Sequence, residues 1–336
     1  MEENPALIGK IPLNQNIRLV RRNNLVGEFV LVDAIGRSGK GMMAHVLASM
    51  SRVEKQSNDE PFDWVPRLYM LGKISRDAAV TVMRSEADTR LYNNMISRSV
   101  NFKFTDDTGT YRNLATMKYL RRLFAKEGQP VVDRVKQERP IFQNCTHDGL
   151  RMAKLFFEAF GDRLRIVYIV RDPVGIIYEW DRSRFGERIG KDPREFQLTY
   201  EWGESAVPLY AHGWEDEYLS SNSTDKVIGM IDWHFNGNMA GYASLSEEQR
   251  QQVMFVIFEE FVTNPIPYCE KIASFLGTET TSRTRKVLKR EKCPRILDPT
   301  DREEKRRNIE EKASVKAVNK FHKLLEAYER REWTTL

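Results

Sequence analysis

Apolar residues along this chain occur either in short consecutive runs or at helical spacing. Three consecutive apolar runs are too short for buried helices and therefore predict strands, at 29–32, 164–170 and 253–258. A fourth segment, 140–149, has the pattern of a strand that continues into a loop. Helical spacing is found at 67–100, 114–126, 150–160, 174–182, 267–276 and 302–332. Strands that alternate with helices predict a three-layer α/β fold, in which helices flank a central, mainly parallel sheet.

The same pattern predicts how the chain is divided. We expect an N-terminal extension at 1–27, one α/β domain at 28–297, and a C-terminal charged helix within 298–336 that packs its apolar side on the domain. Polar residues and two prolines at 57–66 indicate a surface loop. The stretch 181–250 is long, aromatic and irregular, which favours an insertion in the domain; the family resemblance described below implies that it lies on the acceptor side.

A glycine-rich loop at 36–41 connects the first predicted strand to a helix. Strand, glycine loop and helix together direct backbone N–H groups at one anion, and Arg37 and Lys40 add positive charge there. A simple turn between a strand and a helix is the alternative. The triphosphate-binding pattern needs glycine at the position of Ala34 and a hydroxyl at the position of Gly41. This P-loop therefore favours a donor held by backbone and basic groups over a magnesium-dependent kinase.

Composition limits the function classes. The chain has 336 residues, is 41% hydrophobic, and has a net charge of +5, which is too weak and dispersed to indicate nucleic-acid binding. Cys145, Cys269 and Cys293 lack metal-ligand spacing and are typical of free thiols in a reducing compartment. No apolar segment approaches the ~20 residues of a membrane span, so we expect a cytoplasmic protein.

Three segments of the chain match motifs of a known family, in the same order along the sequence. They are the loop Arg-Ser-Gly-Lys-Gly at 37–41, the strand ending in Arg-Asp-Pro at 166–173, and an acidic pair before a proline at 258–265 with Ser-Phe-Leu-Gly at 274–277. Together they resemble the sulfotransferase family that uses 3′-phosphoadenosine 5′-phosphosulfate (PAPS) as its donor. The resemblance covers 28–277 and implies the P-loop sulfotransferase fold, no metal, and sulfuryl transfer to a hydroxyl group.

The resemblance also implies roles for particular residues. The glycine loop would hold the 5′-phosphosulfate, with the residues Arg37, Ser38, Gly39, Lys40 and Gly41. In the family a lysine in this loop contacts the bridging oxygen; its usual place is filled here by Arg37, and Lys40 stands where a hydroxyl is common, so either could serve. Arg171 would bind the 3′-phosphate.

Two further positions follow from the family pattern. His147 stands in a Thr-His pair 24 residues before Arg171, where some members have a catalytic base. A capping or core histidine is the alternative, and other members use a carboxylate. A serine eight residues after the arginine usually completes the 3′-phosphate site, but Glu179 stands there. Ser183 or a backbone group would then serve.

The sequence also suggests a class of acceptor, and it leaves open two functions other than sulfuryl transfer. Aromatic residues within 181–250 suit the binding of a carbohydrate or another hydroxylated small molecule. They could equally fill the core of a small subdomain. These residues are Tyr200, Trp202, Tyr210, Trp214, Tyr218, Trp233 and Tyr242. The first rival is a kinase using ATP and magnesium, with Lys40 on the phosphates and Glu259 or Asp172 near the metal. The second is a non-catalytic nucleotide-binding protein of the same fold.

Overall fold

A four-stranded parallel sheet lies at the centre of the fold, in a computed structural model that describes residues 17–56, 60–331 and 333. Its strands stand in the order β2-β1-β3-β6. The strands are β1 (Glu28–Asp33), β2 (Ile141–Thr146), β3 (Leu164–Val170) and β6 (Val253–Ile257), and a separate antiparallel hairpin is formed by β4 (Thr199–Trp202) and β5 (Ser205–Pro208). All four predicted strands are confirmed.

Helices occupy most of the remaining described residues. They are α1 (Lys40–Ala48), α2 (Pro61–Met70), α3 (Arg76–Met95), α4 (Thr116–Arg122), α5 (Gln129–Glu138), α6 (Ala153–Phe160), α7 (Pro173–Arg182), α8 (Phe185–Arg188), α9 (Glu215–Ser220), α10 (Ser223–Ala243), α11 (Glu247–Arg250), α12 (Phe258–Thr263), α13 (Pro265–Phe275), α14 (Ser282–Arg290), α15 (Pro299–Lys312) and α16 (Val315–Glu329). Outside 181–250, the helices α5, α12 and α14 were not predicted.

Both faces of the sheet are buried, which explains the continuous apolar runs. Along β1, Phe29 and Leu31 face a core shared with α3 and α6, whereas Val30 and Val32 face a second core shared with α1, α13 and α14. Successive side chains of a strand point to opposite faces, so a strand covered on both sides must be apolar throughout. The predicted three-layer α/β fold is confirmed.

Residues 57–59 of the predicted surface loop at 57–66 lie outside the described residues. The prediction is wrong from Pro61 onward, because α2 begins there. Proline is tolerated in the first turn of a helix, where its missing N–H would have no partner. Pro66 lies inside the helix and is buried, although it removes one backbone hydrogen bond there.

The stretch 181–250 is also more regular than predicted, because it contains the 21-residue helix α10. The glycines of α10 were the reason that the sequence did not predict a helix there. A Cβ at Gly237 would lie 1.9 Å from the Arg151 guanidinium, and one at Gly241 would lie 2.2 Å from the Leu150 carbonyl oxygen. These glycines therefore allow close packing inside a helix rather than marking a loop.

The predicted single tail helix is two helices. Ala313 adopts an extended conformation between α15 and α16, and the Ser314 side chain accepts a hydrogen bond from Ala317 N at the start of α16. The predicted apolar side does pack on the domain, since Phe321, Leu324 and Leu325 are buried in a third core with residues of α7 and α10. A two-helix tail can bend around the domain where a single helix could not.

Within the predicted N-terminal extension, residues 17–27 contact α3, while residues 1–16 lie outside the described residues. Asp88 of α3 accepts hydrogen bonds from the backbone N–H groups of Leu25 and Val26, both at 2.8 Å, and pairs with Arg21. Within 17–56, 60–331 and 333, the search for a helix long and apolar enough to cross a bilayer found none.

Candidate functional site

The glycine loop follows β1 at the carboxyl end of the sheet, where open α/β folds bind ligands. Gly39 has a φ of +91°, and a Cβ there would lie 2.5 Å from the Phe258 ring, so only glycine fits. The helix α1 begins at Lys40, immediately after this residue. The backbone N–H groups of its first turn therefore face the loop without intrahelical partners.

The hydroxyl of Ser38 indicates that an anion fits this loop. Ser38 is only 1% exposed, and its Oγ has no hydrogen-bond partner among the described residues. A buried polar group without a partner costs ~1–3 kcal/mol. A phosphate or sulfate oxygen in the loop would accept a hydrogen bond from this hydroxyl, so the residues present fit the phosphosulfate of PAPS.

Side chains on and before α7 bind the carbonyl groups of the loop. Trp180 Nε1 donates to the Gly36 carbonyl oxygen at 2.8 Å, and Arg171 Nη1 donates to that of Arg37. Because these loop carbonyl oxygens already accept hydrogen bonds from side chains, the N–H groups of the loop remain for binding a ligand. The Arg37 side chain is exposed, with its guanidinium carbon 5.7 Å from the centroid of the Phe185 ring.

Lys40 links the loop to the end of the neighbouring strand. Its Nζ donates to the Thr146 carbonyl oxygen at 2.8 Å, and Thr146 pairs with Asp33 in the register of β1 and β2. Burial lowers the pKa of Lys40, although nearby acidic groups, including Asp63, act in the opposite direction. The ammonium group is thus held beside the peptide unit that leads into His147.

His147 is held by Asp63, in the first turn of α2. Asp63 Oδ1 accepts from the His147 backbone N–H at 3.0 Å, and Asp63 Oδ2 lies 3.1 Å from Nδ1 of the ring. Burial tends to raise the pKa of Asp63, but the charges of His147 and Arg67 outweigh it and lower the pKa to about 2. The His147 side chain is 33% exposed. Sequence reasoning missed Asp63 because 57–66 was interpreted as a loop.

His147 and Lys40 share a cavity of about 260 Å³. The walls are formed by α2 and by the segment before β4, and the other lining residues are Glu60, Asp63, Trp64, Arg67, Cys145, Arg194, Glu195, Phe196 and Gln197. The seven aromatic residues suggested for the acceptor do not line this cavity. Tyr210 and Tyr218, for example, are buried in the core around α10. The core interpretation is therefore the correct one for these two residues.

A second group of cations lies at the Phe258 ring, next to the loop. The guanidinium carbons of Arg171 and Arg295 lie 4.6 Å and 5.7 Å from the centroid of the Phe258 ring, which also contacts Gly39. Arg295 Nε is buried and has no hydrogen-bond partner among the described residues. Arg295 follows α14 in no recognisable motif, so no signal in the sequence could have found it.

Ser183 is not brought to this group. It caps the C-terminus of α7, where its N–H donates to the Glu179 carbonyl at 3.1 Å and its carbonyl accepts from Arg188 at 3.3 Å. A ten-residue helix, about 15 Å long, separates it from Arg171. Glu179 lies 3.5 Å from Arg182. The expectation that Ser183 and Arg171 form one site is not met within the described residues.

The two carboxylates expected near a metal are both engaged in protein contacts. Asp172 accepts hydrogen bonds from Val174 N and from Arg302, while Glu259 accepts from Asp172 N at 3.1 Å and from the Tyr328 hydroxyl at 2.7 Å. Burial raises the pKa of Glu259. Throughout the part of the chain that the structure describes, a search for groups of three or more metal-ligating side chains gave none.

The chain was compared with solved structures, with curated proteins and with family models. The chain is similar to the sulfotransferase domain of the Synechococcus PCC 7002 olefin synthase, with 12% identity and a TM-score of 0.47 over 93% of this chain and 98% of that one. It is similar to the sulfotransferase domain of the curacin biosynthetic pathway at 12% identity and a TM-score of 0.42, over 76% of both chains. A mouse sulfotransferase complexed with PAP gives 11% identity and a TM-score of 0.35, over 81% of this chain and 65% of that one.

A comparison with curated proteins gave no match. A family model described as a sulfotransferase domain matches residues 31–321, which is most of the chain. The chain therefore belongs to the sulfotransferase family.

Proposed function

We propose that this enzyme transfers a sulfuryl group from PAPS to a hydroxyl group of a small acceptor. The observation that carries the proposal is the 2.8 Å hydrogen bond from Lys40 to the Thr146 carbonyl. It joins the glycine loop to the residue before His147, so a donor in the loop and a base directly after β2 meet at the same cavity. PAPS, when bound, supplies a sulfuryl group on a phosphate leaving group.

The loop stabilises the charge that develops during transfer. Negative charge grows on the bridging oxygen, and the Ser38 hydroxyl, the N–H groups of the first turn of α1 and Lys40 all lie at the loop. Removing one such donor raises a barrier by ~3–4 kcal/mol. Of the two basic residues left open by the sequence, we assign Lys40 to the bridging oxygen, because Arg37 is exposed beside Phe185.

His147 acts as the general base in this proposal. Its ring lines the cavity beside Lys40, within reach of an acceptor hydroxyl. His147 takes the hydroxyl proton while the bond between the acceptor oxygen and sulfur forms. The bond between sulfur and the bridging oxygen breaks, and its electron pair leaves with the 3′,5′-bisphosphate product (PAP).

Arg171 and Arg295 bind the 3′-phosphate in this proposal. Both guanidinium groups lie at the Phe258 ring next to the loop. Guanidinium groups bind phosphate through paired, charge-assisted hydrogen bonds, which suits two arginines that converge from different segments. Arg295 thus takes the role that the sequence suggested for Ser183.

The cavity favours a hydroxylated acceptor of carbohydrate type. Trp64 and Phe196 supply aromatic surface, and Gln197 and Arg194 supply polar groups around the same space. Such a mixture of aromatic faces and hydrogen-bonding groups is typical of sites for polyhydroxylated molecules.

Replacement of His147 tests the chemical step. We expect His147→Ala to lower kcat about 100-fold or more, because the acceptor hydroxyl loses its base. The dissociation constant for PAP should stay within about twofold of the wild-type value, because the base does not touch the donor phosphates. Turnover is measured as transfer from radiolabelled PAPS to a panel of sugars and phenols. Unchanged turnover in the variant would remove His147 from the mechanism.

A further inference from the structure

Asp63 makes an unusual pair of contacts with a single residue, His147. One carboxylate oxygen accepts from the His147 backbone N–H at 3.0 Å, and the other lies 3.1 Å from ring Nδ1. We infer that Asp63 is a positioning residue that holds the His147 ring in the tautomer with the proton on Nδ1. This inference rests on the proposed function only where it concerns catalysis.

The charge of Asp63 decides which nitrogen of His147 carries the proton. Despite its burial, which tends to raise the pKa, the charges of His147 and Arg67 lower the pKa of Asp63 to about 2, so the carboxylate is the ionised partner in this contact. An ionised carboxylate has no proton to donate, so Nδ1 must be the donor in this contact. The lone pair of a neutral ring therefore lies on Nε2, for which no hydrogen bond is seen within the described residues.

Asp63 is itself held in place by surrounding groups. It lies in the first turn of α2, where the partial positive charge of the helix N-terminus favours a carboxylate. Arg67, one turn further along, has its Nη2 3.8 Å from Asp63 Oδ1 and is anchored by Asp148 at 2.7 Å. Arg67 is 2% exposed, so this support is buried.

The arrangement provides two catalytic advantages to a base at this position. The fixed tautomer presents Nε2, rather than Nδ1, to the acceptor hydroxyl without a reorientation step. After His147 takes the proton, the imidazolium lies against an anion and is stabilised by it. An acid beside a histidine base serves these same two purposes in hydrolases with a Ser-His-Asp triad.

Nitrogen NMR of the histidine rings tests the inference without any need for turnover. The chain has five histidines, so selective ¹⁵N labelling gives few signals, and a His147→Gln sample assigns those of His147. At a pH where the ring is neutral, we expect the wild-type protein to show protonated Nδ1 and unprotonated Nε2. In Asp63→Asn, whose amide can donate to Nδ1, the tautomer should shift toward protonated Nε2.

Besides the spectra, the turnover of Asp63→Asn is measured and compared with that of a matched control variant. We expect Asp63→Asn to lower kcat about 100-fold or more while the KM for PAPS changes little, as for a base held in the wrong tautomer. Asp77→Asn is the control, because Asp77 is also a first-turn carboxylate that accepts a backbone hydrogen bond, at the start of α3. It should leave both the His147 signals and kcat unchanged.

The outcomes separate this inference from the proposed function. Wild-type spectra with the proton on Nε2, or an unchanged His147 tautomer in Asp63→Asn, would overturn the inference even if the enzyme transfers sulfuryl groups. The expected spectra in a protein that fails to bind PAP would support the pairing of Asp63 with His147 and contradict the proposed donor instead.

Discussion

At the scale of single residues, the conformation of the glycine loop at 36–41 depends on Gly39. Its positive φ and its closeness to the Phe258 ring are both incompatible with a Cβ. Through Phe258, the same residue connects the loop to the two arginines assigned to the 3′-phosphate. A change here should therefore disturb both ends of the proposed donor site.

Gly39→Ala tests this dependence. We expect the variant to lose about 1–3 kcal/mol of unfolding free energy, because the backbone is strained and the Phe258 ring must move. PAP binding should weaken as well, since the ring supports Arg171 and Arg295. Urea denaturation and calorimetric titration measure the two effects.

Gly41→Ala provides the matched control for stability. A Cβ at Gly41 meets nothing within 4 Å, and the residue lies inside α1. Its stability should be unchanged or slightly higher, because alanine is the better helix former. Equal stability losses in both variants would show that strain at Gly39 is not the cause.

The residues that sequence reasoning found and missed differ in a physical way. Arg37, Lys40, His147 and Arg171 lie in the loops after predicted strands or just beyond them. The rule that ligands bind at the carboxyl ends of parallel strands therefore predicted that they share one edge of the sheet, where the structure has them. Arg295 reaches the loop from a segment without regular structure between α14 and α15. Its place depends on tertiary packing alone, which no local pattern in the sequence records.

At the scale of elements, strands were more predictable than helices. The run at 164–170 matches β3 residue for residue, because a strand covered on both faces must be apolar throughout. The helices α2 and α10 were missed because proline and glycine, which normally end helices, are tolerated there by burial and close packing. The missed helix α2 carries Asp63, so an error in secondary structure hid a residue of the candidate site.

The short helix α4 is anchored to the domain by one buried carboxylate. Glu54 is 1% exposed and accepts hydrogen bonds from Lys118, Tyr119 and Arg122. Burial tends to raise the pKa of Glu54, but Lys118 and Arg122 outweigh it and lower the pKa to about 2. The folded state therefore favours the ionised form more strongly than the unfolded state does.

This difference predicts how stability depends on pH. The contribution of Glu54 is complete above its unfolded pKa of 4.5 and is lost as the pH falls from there toward about 2. We expect Glu54→Gln to lower the free energy of unfolding by about 3 kcal/mol at pH 7 and to flatten the loss of stability below pH ~4.5. Urea denaturation at a series of pH values measures both effects.

A second acid that contacts Arg122 is the control for this prediction. Glu138 pairs with the same guanidinium at 3.2 Å but is 45% exposed. Solvent screens such a pair, so Glu138→Gln should cost less than about 1 kcal/mol. The assignment of this pH dependence to Glu54 would be contradicted if Glu54→Gln lost stability below pH ~4.5 as steeply as the wild type. Equal losses of unfolding free energy in the two variants would contradict it as well.

At the scale of the whole molecule, the candidate site is assembled from segments far apart in sequence. The loop at 36–41, α2, the ends of β2 and β3, and the segment around Arg295 all meet at the carboxyl edge of the sheet. The two-helix tail binds the same edge, through Arg302 to Asp172 and Tyr328 to Glu259. The fold class followed from the order of the predicted strands, whereas this convergence depends on how the helices pack.

Calorimetric titration with PAP tests the central claim most directly. The wild-type protein is titrated with PAP and with AMP in the presence of a chelator, and with ATP and magnesium in a separate experiment. Arg295→Ala is titrated alongside, with Arg290→Ala as an arginine control that lies against the Tyr111 ring instead.

We expect tight, metal-independent binding of PAP by the wild-type protein and weaker binding of AMP, which lacks the 3′-phosphate. Arg295→Ala should lose about 10-fold or more in PAP affinity, as expected for a charged hydrogen bond, and little in AMP affinity. Arg290→Ala should bind PAP normally. Binding of magnesium-ATP alone, or of none of the nucleotides, would contradict the sulfotransferase donor site.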